Sequence, residues 1–150
     1  MDKPVVLTDL TSSIEIEESV RDATGSASEF LIRRDGKVFA GAHLLIDFWG
    51  GSRLGDIAFV EAALRDAAEA ANATVLHVHV HEFGGESGVS GVAVLAESHI
   101  SVHTWPELDY AAFDVFMCGN CRPENALSVL EDRFSPVRKS VVESKRGLVE

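Results

Sequence analysis

The hydrophobic positions of this chain change period several times, and each change marks an element. Residues 73–81, Ala-Thr-Val-Leu-His-Val-His-Val-His, alternate apolar and polar, the two-residue repeat of a strand. Ile57, Val60, Ala63, Leu64, Ala67, Ala68 and Ala71 instead recur at helical spacing, with Asp56 placed to cap the helix and Asn72 to end it. Apolar runs at 42–49, 89–96, 99–104 and 110–117 predict four more strands, with Gly50-Gly51 closing the first and Pro106 in the turn before the last. Pro123 opens a second helix that runs to about Phe134, with Ala126, Val129 and Leu130 inward. Residues 136–142 read as a final strand. Upstream, residues 30–39 form a hairpin about Asp35-Gly36, and Gly84-Gly85 with Gly88 makes a flexible connection.

From residue 42 the order is β-α-β-β followed by β-β-α-β. Near neighbours pair, so the expected fold is α+β: a two-layer α/β sandwich, a mostly antiparallel sheet covered by two helices. Two helices cover one face only. The apolar area of the other face predicts a homodimer. Residues 1–28 are polar and acidic and read as a flexible N-terminal arm, leaving 29–150 as a single domain.

The hydrophobic fraction of 46% and charged fraction of 25% are those of an ordinary globular chain. No apolar run is long enough to cross a membrane, and the N-terminus lacks the pattern of a secretory signal. Cysteines are too few for a disulfide framework, which makes the reducing cytoplasm the expected location. A net charge of −11 argues against nucleic acid as a partner, because phosphate contacts need clustered Lys and Arg.

The chemistry is concentrated in residues 95–107, Leu-Ala-Glu-Ser-His-Ile-Ser-Val-His-Thr-Trp-Pro-Glu. Packing alone does not call for that composition. His77, His79 and His81 share one strand face and, with His43 and His99, are either metal ligands or a solvated polar face; no acidic motif accompanies them. Cys118-Gly-Asn-Cys121 is a single C-x-x-C, a weak signal for zinc or redox use. Cys118 ends an apolar strand just before a glycine, where a thiol either packs inertly or reaches a cleft. Ser98 and His103 are five apart, hence on opposite faces of a regular strand, and no G-x-S-x-G elbow is present. A serine hydrolase therefore has little support. A cysteine hydrolase pairing Cys118 with His103 is better placed, since strands 99–104 and 111–117 are expected to pair.

Gly88-Val-Ser-Gly-Val92, then residues 96–107 (Ala-Glu-Ser-His-Ile-Ser-Val-His-Thr-Trp-Pro-Glu), then Tyr110-Ala-Ala-Phe-Asp-Val-Phe-Met-Cys-Gly119 resemble the bacterial and archaeal type of S-adenosylmethionine decarboxylase. The likeness extends more thinly from Gly41 to about Gly147. It implies a proenzyme that cuts its own chain between Glu97 and Ser98, giving a β chain (1–97) and an α chain (98–150). It also implies that Ser98 becomes a pyruvoyl group, a cofactor made from the chain itself, which forms a Schiff base with the substrate amine. By the same resemblance His103 and Ser90 assist processing, Cys118 is the proton donor of catalysis, and Glu107 binds the ribose hydroxyls of S-adenosylmethionine. Trp105 and Phe83 are candidates for stacking on adenine. The loop over residues 82–87 departs from the familiar length and is glycine-rich. Cys121 stands outside the family's pattern, and so does the N-terminal arm. A pyruvoyl arginine or ornithine decarboxylase and a non-catalytic homologue are the alternatives.

Overall fold

The computed structural model describes residues 30–84 and 87–149. The expected arm over residues 1–28, and Gly85 of the expected loop, lie outside them. Seven strands and two helices follow in the order β1 (Ile32–Arg34), β2 (Lys37–Trp49), α1 (Ile57–Ala70), β3 (Val75–Glu82), β4 (Val89–Leu95), β5 (Ser98–Trp105), β6 (Tyr110–Met117), α2 (Pro123–Phe134) and β7 (Arg138–Leu148). Every pairing is antiparallel. β2 is the hub: Ala42–Trp49 pairs β6 on one side and β7 on the other, and the sheet continues from β6 through β5 and β4 to β3. Both helices lie on one face. The two-layer α+β expectation holds.

Two boundaries differ from the sequence reading, each for a local reason. The second arm of the hairpin and the strand at 42–49 are one continuous strand, β2. A side chain at Gly41 would come within 2.4 Å of the Phe116 ring, so glycine there admits Phe116 against the backbone and marks no break. β7 runs six residues beyond 142, to Leu148, because β2 offers it partners as far as Phe39. Its polar Glu143-Ser-Lys-Arg146 segment hid the strand, and polar residues are what an exposed edge strand carries.

Asp56 caps α1, its carboxylate accepting the Phe59 N–H at 3.0 Å. Asn72 turns the chain away at φ 61°. In α2 the buried positions are Pro123, Ala126, Leu130 and Phe134; Val129, expected inward, is only half-buried. The core lies between the helices and the even-numbered face of β2 and β5, where Ile46, Phe48, Leu64, Ile100, Phe113 and Phe134 are fully enclosed. Each such side chain contributes roughly 1.5–3 kcal/mol of burial free energy.

The opposite face has no helix over it among the described residues. It carries all six histidines together with Leu45, Asp47, Val94, Trp105, Asp114, Phe116 and Val142. Leu45 and Val94 are each more than 40% exposed.

Candidate active site

β4 and β5 form a hairpin whose register pairs Leu95 with Ser98, so Ala96-Glu97 is a two-residue turn. Glu97 takes the left-handed conformation, φ 61°. For a residue with a Cβ this costs on the order of 1–2 kcal/mol, stored beside the Glu97–Ser98 peptide bond. Ser98 begins β5 on the helix-facing side and is 8% exposed. β6 runs back along β5, with Phe116 opposite His99, so Cys118 arrives beside that turn. Its thiol donates to the Glu97 carbonyl oxygen at 2.7 Å and lies 3.9 Å from the Ser98 hydroxyl. Burial pushes the Cys118 thiol up, only partly offset by the Ser98 hydroxyl, so it holds its proton at neutral pH. A cavity of about 810 Å³ opens over this end of the sheet, lined by Phe30, Leu31, Arg33, Asn72, Glu97 and Cys118 among others. The arrangement places a nucleophilic hydroxyl next to a strained, hydrogen-bonded carbonyl, with a neutral acid at the same spot.

The other end of the same hairpin holds a second cluster. The register sets Ser90 opposite His103, and Ser90 Oγ lies 2.9 Å from His103 Nδ1. Trp105, two residues on, shares the His103 face and stacks on Tyr110 at 5.2 Å. Glu107 sits in the 3-10 turn Pro106–Leu108, and Phe83 follows β3. These side chains, with Gly88 and Thr104, line a recess of about 380 Å³. Asp47 accepts the Tyr110 hydroxyl, and chiefly this bond pushes that phenol up to about 12.

The predicted site residues thus fall into two groups. Glu97, Ser98 and Cys118 meet at one end, while Ser90, His103, Trp105, Glu107 and Phe83 meet at the other. The expected approach of His103 to Cys118 and Ser98 within one chain is not found. Five residues of strand at about 3.3 Å each separate Ser98 from His103 by roughly 17 Å, and parity turns His103 to the open face while Ser98 faces the helices. The short turn at Pro106–Leu108 makes β5 and β6 run fully antiparallel, which sends Cys118 to the far end from His103. His77, His79 and His81 do share the open face, yet among the described residues no group of three or more His, Cys, Asp or Glu side chains is arranged to hold a metal ion.

The sequence reading missed two residues that shape these clusters. Buried Thr104 accepts the Val89 N–H at 2.9 Å and donates to the Leu54 carbonyl at 2.7 Å, joining β4, β5 and the loop before α1. Its only sequence signal was a hydroxyl at a core-facing position. Asn72 lines the cavity at the Ser98 end although it belongs to the end of α1, a juxtaposition that no local pattern encodes.

An antiparallel sheet covered on one face by two helices is the fold of a class of decarboxylases. The chain belongs to the S-adenosylmethionine decarboxylase family, whose model matches residues 42–147. It is 46% identical over 110 residues to the S-adenosylmethionine decarboxylase proenzyme of Thermomicrobium roseum, covering 73% of this chain and 95% of that one. The proenzyme of the same name from Methanococcus aeolicus is 44% identical, over 71% of this chain and 93% of its own length. Among solved structures, the adenosylmethionine decarboxylase from Aquifex aeolicus superposes with a TM-score of 0.67 at 32% identity, covering 73% of this chain and 92% of that one.

Proposed function

We propose that this chain cuts itself between Glu97 and Ser98, converts Ser98 to a pyruvoyl group, and decarboxylates S-adenosylmethionine for polyamine synthesis. The observation that carries the reading is the Cys118 thiol bonded at 2.7 Å to the carbonyl oxygen of the strained Glu97–Ser98 peptide. In processing, Ser98 Oγ attacks that carbonyl carbon, and the thiol proton supports the negative charge that develops on its oxygen. The acyl group passes from nitrogen to oxygen. Loss of the Ser98 α-proton then eliminates the Glu97 carboxylate, and hydrolysis with loss of ammonia leaves the pyruvoyl group. In turnover that group supplies the electron sink for the departing carbon dioxide. The neutral Cys118 thiol is positioned to deliver a proton to the substrate α-carbon, a role that contributes typically ~10²–10⁴-fold. Glu107, Trp105 and Phe83, brought to the Ser98 end by a second copy of the chain, hold the nucleoside end. The substrate sulfonium suits the acidic chain and these aromatic faces.

His103 is the base for the elimination. In the tautomer whose Nδ1–H donates to the Ser90 hydroxyl 2.9 Å away, Nε2 keeps a free lone pair. Because His103 and Ser98 stand at opposite ends of β5 within one chain, the reading requires a second copy. A two-fold axis lying between two open faces and running across the strands reverses strand direction. It sets the His103 end of one copy over the Ser98 end of the other, so the working unit is a homodimer with shared sites.

The test is complementation. Ser98→Ala and His103→Ala chains expressed separately stay uncut. Co-expressed, they give cleavage of the His103→Ala chain alone, read by mass spectrometry as fragments 1–97 and 98–150 with a pyruvoyl terminus. No cleavage in the mixture refutes the shared site, and decarboxylation of arginine or ornithine but not S-adenosylmethionine refutes the substrate.

A further inference from the structure

Cys121 is the reactive side chain that the proposed function leaves unused, and it sits against the site. Cys118-Gly-Asn-Cys121 is a tight turn: the Cys121 N–H donates to the Cys118 carbonyl at 3.3 Å, and Gly119 takes the positive φ (60°) that this geometry requires. Residues flanking such a turn have Cα atoms less than ~7 Å apart, inside the Cα span a disulfide accepts. Both thiols are free, both are half-buried, and both line the 810 Å³ cavity, so a small reagent that enters the cavity reaches either. They are held apart by separate contacts, Cys118 on the Glu97 carbonyl and Cys121 on the Asn72 carbonyl at 3.7 Å. A thiol is a weak donor, so the second contact holds its sulfur only lightly.

We propose that Cys118 and Cys121 form a reversible thiol–disulfide site, closed by a small disulfide of the glutathione class, and that closure withdraws Cys118 from the reaction centre. The thiolate of one cysteine attacks a sulfur of the reagent, forming a mixed disulfide and expelling one thiolate. The second cysteine, deprotonated, attacks the protein-side sulfur, forming the Cys118–Cys121 bond and expelling the other. Two protein thiols are oxidised, the reagent is reduced to two thiols, and the two protons go to those products. Closure removes the S–H that bonds the Glu97 carbonyl and that protonates substrate. A bridge across only two residues is strained and easily reduced, which suits reversal by a dithiol. Burial holds both thiols up, so the exchange speeds as pH rises. The effect on activity rests on the reading of Cys118 as proton donor; the bridge itself rests on the turn.

The test uses processed enzyme equilibrated across a series of oxidised-to-reduced glutathione ratios, then quenched in acid and alkylated. Both sulfurs lie in fragment 98–150. The expected result is a fragment lighter by two hydrogens and inert to alkylation, decarboxylation falling in parallel by about 10²-fold or more, and recovery of both with dithiothreitol. Cys121→Ala carries a glutathione adduct instead of losing two hydrogens. Wild-type fragment that remains alkylatable or bears only glutathione adducts at every ratio overturns the site. Bridge formation with unchanged activity overturns the switch. Cys118→Ala measured alongside then locates that failure: if it too retains activity, the proton-donor reading has failed.

Discussion

In the proposed reaction one atom, the Cys118 sulfur, serves two steps. Its thiol touches the carbonyl that must be attacked, and it stands where the proposed catalysis needs an acid. Because burial raises its pKa, the protonated, active form persists to higher pH than an ordinary thiol allows, about 8.5 in model peptides. The alkaline fall of kcat is therefore expected above that value; a fall well below it contradicts a thiol donor in this setting. Replacing Cys118 with Ala is expected to leave cleavage at Glu97–Ser98 detectable but to lower kcat by ~10²–10⁴-fold, measured as carbon dioxide release by the fully cut fraction. At this scale the sequence was most informative. The crowding of reactive residue types at 95–107 and at 118 drew attention to Ser98, His103 and Cys118 before any fold was considered, whereas roles for Ser90, Glu97 and Glu107 came from the resemblance of the surrounding motifs to a known family. The Thr104 bonds were not legible, since their partners at Leu54 and Val89 are distant in the chain.

Among the elements, the β4–β5 hairpin does the positioning. Its register alone sets Ser90 against His103 at one end and the strained turn at the other. Gly88 anchors its open end: a methyl group there would lie 1.8 Å from the Thr104 carbonyl oxygen, a backbone atom that cannot yield. Gly88→Ala is therefore expected to cost about 1–3 kcal/mol, seen as a lower denaturant midpoint, and to leave more chain uncut by displacing Ser90. Unchanged stability and cutting would show that the strand start adapts. Element types were readable from periodicity, because a helix and a strand repeat their apolar positions at different intervals. Lengths were less readable. β2 and β7 are long because they lie alongside each other, and the partner that extends a strand is not written within it.

For the whole molecule the open sheet face is the deciding feature. Helices cover the core-bearing side, and the other side presents Leu45, Val94 and Val142 among polar groups. Near its centre Asp114 accepts from Ser101 at 3.1 Å and pairs with His43 at 2.9 Å, while Arg146 donates to the other His43 nitrogen at 3.2 Å. These bonds give the face a fixed polar pattern for a partner to match. Leu45→Lys sets a charge in the middle of the proposed interface without entering the core. It is expected to yield a folded monomer, by sedimentation and circular dichroism, in which cleavage is strongly slowed. A monomer that cuts itself at the normal rate removes the shared-site arrangement.

The sequence by itself determined the two helices, the alternating strands and the one-sided covering, because each rests on short-range periodicity, and its motifs pointed to the candidate site residues. Tertiary structure decided where those residues stand relative to one another. Strand parity and antiparallel pairing, which depend on contacts distant in the chain, put Ser98 and Cys118 together, sent His103 and its neighbours to the far end and opposite face, and brought Cys121 to the rim of the same cavity.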